Sequence, residues 1–338
     1  MNAIEAMQAE IENQVQELYE LGLSSSPSPP PPACGNDCMF VGSGDSYVAG
    51  LVAQYLSGTR SICVYPVDII KNPSLVKDRN LYIVSISGNT QANILAAKIA
   101  KKNGANAVTA VTARSSSRLA KSCDHIIELR YRNTGIITSG TISFTASMIK
   151  CILLSTALQP IHTDLRKIYN DAQNQAEKAL SMFDQKGGSG NFTIGKNNNK
   201  IVGNNSSYFI LGDSHLYAIA KYGALKFNEV LGARAFAYPA EEFCHSPLFS
   251  FKQSDHAILL GDSNGSNNRK LSKRLNEEGF SSFHVEFKNA GIELLLQATF
   301  FIQVLVLKLA QKNGLTSCHF LMDKKLLKMS SDFIYPRR

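Results

Sequence analysis

The 338 residues carry little charge: 18% are Asp, Glu, Lys or Arg, against 44% hydrophobic residues. That balance excludes the disordered and fibrous classes, because so apolar a chain can bury enough surface to offset the entropy of ordering. Blocks of basic residues are also missing. Lys and Arg outnumber Asp and Glu by 35 to 27, a formal net charge of +8, yet the basic residues stand at most in pairs such as Lys101-Lys102, Lys324-Lys325 and Arg337-Arg338. A nucleic-acid-binding chain concentrates such residues on one element, so the mild excess points to small anionic molecules and to no nucleic-acid partner. The seven cysteines, odd in number and scattered, form no disulfide framework. The opening Met1-Asn-Ala-Ile-Glu5 lacks the basic-then-apolar order of a signal peptide, and a cytoplasmic location is expected. Cys34 and Cys38 have no second Cys or His pair downstream to complete a zinc site, so no metal is expected. Uninterrupted membrane spans are absent too. Lys150 breaks 141–158, and Glu293, Gln297, Gln303 and Lys308 break 292–310. Each predicts a helix buried in a domain or a subunit interface.

What is present is a repeated alternation of strands and helices. Ile4, Met7, Ile11, Val15 and Leu18 recur at steps of three and four and predict an amphipathic helix over Asn2–Leu23, followed by an extended Ser/Pro stretch at 24–32. Strands are predicted at Cys38–Val41, Ile62–Tyr65, Leu81–Ser85, Val108–Thr112 and His125–Leu129, with helices after Ser46 through Leu56 and over Gln91–Asn103. This spacing implies βαβ units and a mostly parallel sheet. A polar, Gly/Asn-rich stretch at 184–207 interrupts the pattern, which then restarts. Phe40-Val-Gly-Ser-Gly44 has a counterpart 170 residues on in Ile210-Leu-Gly-Asp-Ser214. Leu81–Gly104 has one about 175 residues on, in Ala257–Gly279. The reading is a duplicated α/β domain: an N-terminal helix and linker over 1–37, a first domain over 38–183, a linker or loop over 184–207, and a second domain with its tail over 208–338.

Ser85-Ile-Ser-Gly-Asn-Thr90 falls directly after a strand and directly before a helix. Short hydroxyl side chains and a glycine at such a turn let backbone N–H groups, Ser85, Ser87 and Thr90 converge on one anion, with the helix N-terminus adding partial positive charge. The ordinary alternative is a helix cap by Ser87, Asn89 or Thr90. Gly42-Ser-Gly-Asp-Ser46 occupies the same kind of turn after the neighbouring strand, so Gly44, Ser46 and Gly88 join the candidate phosphate site.

These residues resemble the Ser-x-Ser-Gly-x-Thr loop and the first glycine loop of the sugar isomerase (SIS) domain. In the second half, Tyr222-Gly-Ala-Leu-Lys-Phe-Asn-Glu229 and Pro239-Ala-Glu-Glu-Phe-Cys-His-Ser-Pro-Leu248 resemble the Glu-Gly-Ala-Leu-Lys-x-Lys-Glu and Glu-x-x-His-Gly-Pro segments of one subfamily. That subfamily is the isomerase half of glucosamine–fructose-6-phosphate aminotransferase with its stand-alone deaminase relatives. The resemblance covers most of 38–330. It implies two tandem SIS domains, each a mostly parallel sheet in a flavodoxin-like three-layer αβα arrangement. It also implies a sugar phosphate substrate and a homodimer whose histidine loop reaches the neighbouring active site. Moving a carbonyl between C1 and C2 needs ring opening and a base that carries a proton between adjacent carbons. Glu229 suits the shuttle. Lys226, three residues earlier, can steady the carboxylate or the sugar hydroxyls, and His245 can protonate the ring oxygen. A solvated helix pair and a packed loop histidine are the ordinary alternatives. Leu326-Leu-Lys-Met-Ser330 resembles the closing Leu-x-Lys-Ser segment, whose lysine can form an imine with the open-chain sugar. Lys328 is the match, with Lys324 and Lys325 in competition. No organic cofactor is implied, since the carbonyl already acidifies the neighbouring C–H.

The sequence departs from the family pattern at several places. Asp45 stands where a hydroxyl is usual. Gly140-Thr-Ile142 replaces Ser-Thr-Lys, and Ser246 replaces the glycine after the histidine. With no glutaminase segment and no cysteine after Met1, this chain is expected not to release ammonia from glutamine by itself. The expected activity is glucosamine 6-phosphate/fructose 6-phosphate interconversion. The alternatives are a phosphoglucose/phosphomannose isomerase, a synthase subunit paired with a separate glutaminase, and a non-catalytic sugar-phosphate sensor.

Overall fold

The structure is a computed structural model that describes residues 1–20, 38–58, 60–156, 164–185, 195–197, 200–202, 206–263 and 267–335. The Ser/Pro stretch, Cys34 and most of 184–207 lie outside the described residues. The chain forms two units whose segments interleave. The five-stranded unit comprises Asn13–Asn133, Gly140–His162 and Lys324–Arg338; the four-stranded unit comprises Met1–Glu12, Thr134–Ser139 and Thr163–Asp323.

The first unit holds strands β1 (Cys38–Val41), β2 (Ser61–Val64), β3 (Asn80–Val84), β4 (Ala107–Thr112) and β5 (His125–Glu128) in the order β2-β1-β3-β4-β5. All four pairings are parallel. Every residue of β1 and β4 is buried, because helices cover both faces, and β1 accordingly reads as a continuous apolar run while β4 is interrupted only by Thr109 and Thr112. Met39, Val41, Leu81 and Ile83 point into one core with Ile94, Ala97 and Val108. On the opposite face Phe40 meets Tyr82 with ring centroids 5.6 Å apart. The helix Ile142–Ser155 packs on Asp45–Leu56, so the described part of the apolar run at 141–158 is a largely buried helix of this unit.

Two short antiparallel strands, β6 (Gly195–Asn197) and β7 (Lys200–Val202), precede the second sheet. That sheet holds β8 (Ser207–Leu211), β9 (Arg234–Tyr238), β10 (His256–Asp262) and β11 (Ser281–Phe287) in the order β11-β10-β8-β9, again all parallel. Gly291–Lys312 is long and apolar enough to span a membrane, but 83% of its apolar window is buried, and it packs against Leu165–Gln185 and His215–Lys226. The amphipathic N-terminal helix runs over Ala3–Glu20, and its five periodic apolar residues are all buried.

The 170-residue offset is visible in the backbone. Gly42 and Gly212 each stand where a Cβ would press on the main chain of the following helix, 2.7 Å from Ser46 C and 2.6 Å from Leu216 O. Gly44 (φ 57°, ψ −132°) and Ser214 (φ 53°, ψ −127°) then share one conformation at the helix start. At the 175-residue offset, buried Asn93 and Asn268 donate from Nδ2 to Val84 O (3.4 Å) and Leu260 O (2.8 Å) at the ends of β3 and β10. In each sheet the chain leaves the first strand to one side and returns to the other. That topology opens a crevice at the C-terminal strand ends.

Cys38 is disulfide-bonded, which qualifies the expectation of cysteines without disulfides. Cys63, Cys123, Cys151, Cys244 and Cys318 are free.

Candidate active site

In the five-stranded unit the crevice falls between the ends of β1 and β3, where the turns 42–46 and 85–90 begin. Gly88 takes φ +61°, and a Cβ there would collide with Ser117 while standing 3.1 Å from Thr112 Oγ1. Only glycine fits. Gly88 N–H donates to Ser85 O (3.1 Å), and Asn89 N–H donates to Ser87 Oγ (3.3 Å). Thr90 precedes Gln91–Lys102 in the capping position without a side-chain cap hydrogen bond. The hydroxyls of Ser46, Ser85 and Thr90 bond to no other described group, so they are not spent on capping. The turn is clamped by the loop after β4. Thr112 Oγ1 donates to Ile86 O (3.1 Å), Ala113 N–H donates to the same oxygen (3.2 Å), and Leu119 N–H donates to Gly88 O (2.9 Å). The result is a rigid turn presenting the uncommitted hydroxyls of Ser85 and Thr90 at a helix N-terminus, with Ser46 on the neighbouring turn, and this suits a phosphate.

The Asp45 side chain points toward Gly140. Its Oδ2 lies 2.6 Å from where a Cβ on Gly140 would stand, with Ser143 Oγ alongside at 3.1 Å. The carboxylate therefore faces the start of Ile142–Ser155, where the helix dipole favours negative charge. Two departures from the family pattern, the acid at 45 and the glycine at 140, fit one another sterically.

The four-stranded unit holds the second constellation. His215–Lys226 runs into a π-helical turn, Phe227–Leu231, ended by Gly232 in the left-handed region (φ 63°, ψ 20°). π-turns inside helices are frequent at functional sites, and this one carries Glu229. Lys226 is fully buried. Its Nζ donates to Glu229 Oε2 (2.6 Å) and to Ser139 Oγ (2.8 Å), and Ser139 Oγ donates to the same Glu229 Oε2 (2.6 Å). The Nζ also lies 5.2 Å from the centroid of the buried Tyr222 ring. Glu229 Oε1 accepts no hydrogen bond among the described residues, and the side chain is 38% exposed. One carboxylate oxygen is anchored twice and the other is open. This is no solvated helix pair: a buried ammonium persists only where it is paired and hydrogen-bonded.

Ser139 escaped the sequence reading. It is 87 residues from Lys226 and sits in an unpatterned segment. Glu10 holds that segment, its Oε1 accepting from Thr134 N–H (3.3 Å) and Thr134 Oγ1 (3.2 Å). Cys318, fully buried, lies beside Ser139, Lys226 and Glu229; burial is the main influence on its thiol and pushes it up. The next residue, His319, packs on Gly232, whose Cβ would stand 2.5 Å from the His319 Cγ.

His245 ends the helix Ala240–His245. Its side chain is 70% exposed, and its Nε2 lies 3.8 Å from Glu241 Oε1. It is not a packed loop histidine, and it makes no bond to the Lys226–Ser139–Glu229 group. Lys328 lies exposed on Lys324–Ile334, in the five-stranded unit, without a bonded partner among the described residues. Lys324, its competitor, is equally exposed.

Residues 33–157, which span the whole five-stranded sheet, match the SIS domain family. The chain is 26% identical over 238 residues to glutamine–fructose-6-phosphate aminotransferase (isomerizing) of Clostridium tetani. That alignment covers 67% of this chain and 37% of the relative, so the chain spans little more than a third of the curated protein. Among solved structures, glucosamine-6-phosphate deaminase from Thermotoga maritima superposes with a TM-score of 0.72 at 20% identity, covering 92% of this chain and 95% of the other. Tagatose-6-phosphate ketose/aldose isomerase from Escherichia coli gives 0.67 at 17% identity, over 92% and 95%. At these identities the structural likeness shows the fold: two parallel sheets flanked by helices.

Proposed function

We propose that this chain, which carries a SIS domain over residues 33–157, is a phosphosugar isomerase that moves the carbonyl between C1 and C2 of a hexose 6-phosphate or an aminosugar 6-phosphate. The preferred pair is glucosamine 6-phosphate and fructose 6-phosphate, in the deaminating direction. The observation that carries the reading is Glu229: one oxygen fixed by Lys226 and Ser139, the other free.

In this mechanism the hydroxyls of Ser46, Ser85, Ser87 and Thr90, with the backbone around Gly44 and Gly88, take the phosphate. His245 protonates the ring oxygen as the ring opens. Glu229 Oε1 removes the C2 proton, and the C–H electron pair forms the C1–C2 double bond while the C1 carbonyl oxygen takes a proton. The same carboxyl then returns its proton to C1, leaving an iminium at C2. Water adds there, and ammonia leaves to give fructose 6-phosphate. A single carboxylate suffices because its two stations are adjacent carbons. Lys226 fixes the carboxylate and is too buried to reach out to substrate; Lys328, exposed like Lys324 on the tail helix, is preferred for an imine with the open chain because it matches the lysine of the family's closing segment. His245 is exposed, as is Phe249 (85%) in the following turn. That exposure suits a loop completing the site of a second subunit in a homodimer, and the setting is a cytoplasmic one.

The experiment is a coupled assay on glucosamine 6-phosphate that reads ammonia and fructose 6-phosphate together. Equal amounts of both products are expected. Fructose 6-phosphate formed only from glucose 6-phosphate, with no ammonia, would replace the deaminating reading by plain aldose–ketose isomerisation. No turnover of either sugar would contradict the catalytic reading.

A further inference from the structure

The turn at 85–90 presents neutral donors alone, whereas a sugar phosphate carries about 1.5–2 negative charges near neutral pH. We propose that the missing positive charge comes from Arg114 and Arg118, on the loop that clamps this turn. The inference rests on the phosphate reading of that turn.

The loop after β4 is fixed on both sides. Toward β3, Thr112 Oγ1 and Ala113 N–H both donate to Ile86 O, Leu119 N–H donates to Gly88 O, and Ser117 fills the space beside Gly88. Toward β5, Ser115 Oγ donates to Glu128 Oε1 (2.8 Å). Between these anchors the loop closes on itself: Arg114 N–H donates to Thr112 Oγ1 (3.2 Å), and Ser117 N–H donates to Arg114 O (3.0 Å). Arg114 and Arg118 therefore flank a tight turn bonded directly to the residues of the phosphate turn.

Three other cations of this unit are committed to carboxylates, whereas Lys121, just beyond Arg118, is exposed and, like the two arginines, has no side-chain partner among the described residues. Arg130 Nε lies 3.0 Å from Glu128, Arg132 Nε lies 3.5 Å from Glu17, and Lys101 Nζ lies 2.6 Å from Asp124. Arg114 and Arg118 are exposed, and neither guanidinium has a carboxylate or hydrogen-bond partner among the described residues. Two unspent guanidinium groups on a rigid loop at the strand ends form an electropositive rim beside a neutral cradle. Guanidinium matches phosphate oxygens in bidentate geometry, and at the surface its pull on a dianion is screened by salt. On this proposal the rim favours phosphorylated over free sugars and makes capture of the substrate sensitive to ionic strength.

The test compares wild type, Arg114→Gln/Arg118→Gln and Thr90→Val for binding of inorganic phosphate and of glucosamine 6-phosphate, by calorimetry at about 0.02 M and about 0.5 M salt. Melting curves of each variant establish that it is folded. The arginine pair variant is expected to bind both ligands roughly tenfold more weakly at low salt and to converge with wild type at high salt. In turnover the loss is expected to fall on KM rather than kcat. Wild-type affinity and salt dependence in that variant, with binding lost in Thr90→Val, would overturn the arginine assignment and leave the turn standing. A wild type that binds neither ligand would overturn both.

Discussion

At the residue scale, one oxygen of Glu229 is held by both Lys226 and Ser139, and the other stands open. Lys226 and Glu229 are three apart on one helix, a spacing whose commonest outcome is a solvated pair; only burial of the lysine distinguishes this pair, and burial is a tertiary property. Ser139 arrives from a segment with no periodicity and no glycine signature, so nothing local marks it. Thr112, Ser117 and Leu119 escaped notice for the same reason: their partners, Ile86 and Gly88, are on another strand's turn. By contrast the turn over Ser85, Gly88 and Thr90 was legible as a turn, because a glycine among hydroxyls at a strand-to-helix junction has a local physical cause; its role toward phosphate stays a proposal. The positions of Asp45 and Gly140 show a third case. Each was visible as a departure, but that the two fit together follows only from the packing of Asp45–Leu56 on Ile142–Ser155.

At the scale of elements, the strands of the five-stranded unit were readable to within a residue or two, since buried parallel strands are short apolar runs bounded by turns. The π-turn was not. A helix carrying one extra residue per turn leaves the same apolar pattern as its neighbours, yet here it sets the direction of Glu229. Its exit depends on Gly232. Alanine there must adopt a left-handed conformation, costing about 1–2 kcal/mol, and its Cβ would stand 2.5 Å from the His319 ring. Overpacking of that kind costs about 1–3 kcal/mol more. Gly232→Ala is therefore expected to lower the melting temperature by several degrees and to depress kcat more than KM. Melting curves and steady-state kinetics check this; an unchanged melting temperature would mean that His319 yields freely and that the turn is not held as described.

At the scale of the whole molecule, the repeated offsets announced two sheets of one kind, and the backbone repeats them at Gly42/Gly212 and Asn93/Asn268. The interleaving of segments between units was not legible. A linear pattern assigns neighbours in sequence to one body, whereas Leu165–Gln185 finds its apolar partner in Gly291–Lys312, well over a hundred residues later. The proposed homodimer makes a quantitative prediction. If His245 serves the neighbour's Glu229, a Glu229→Gln subunit and a His245→Ala subunit, each inactive alone, restore one intact site per mixed dimer, about a quarter of wild-type activity after random exchange. Size-exclusion chromatography verifies that dimers re-form. Recovered dimers without recovered activity would place both residues in one subunit's site.

The central claim is that Glu229 carries the proton between C1 and C2. The direct measurement follows a deuterium label at C2 of glucosamine 6-phosphate by NMR, counting its departure whether to water or to C1, in wild type, Ser139→Ala and Glu229→Gln. Wild type is expected to release the label. Ser139→Ala should slow release roughly tenfold to a hundredfold, and Glu229→Gln should bind the sugar phosphate yet slow release by about a thousandfold or more, within the range for loss of a general base. Label leaving C2 at the wild-type rate in Glu229→Gln would contradict the account.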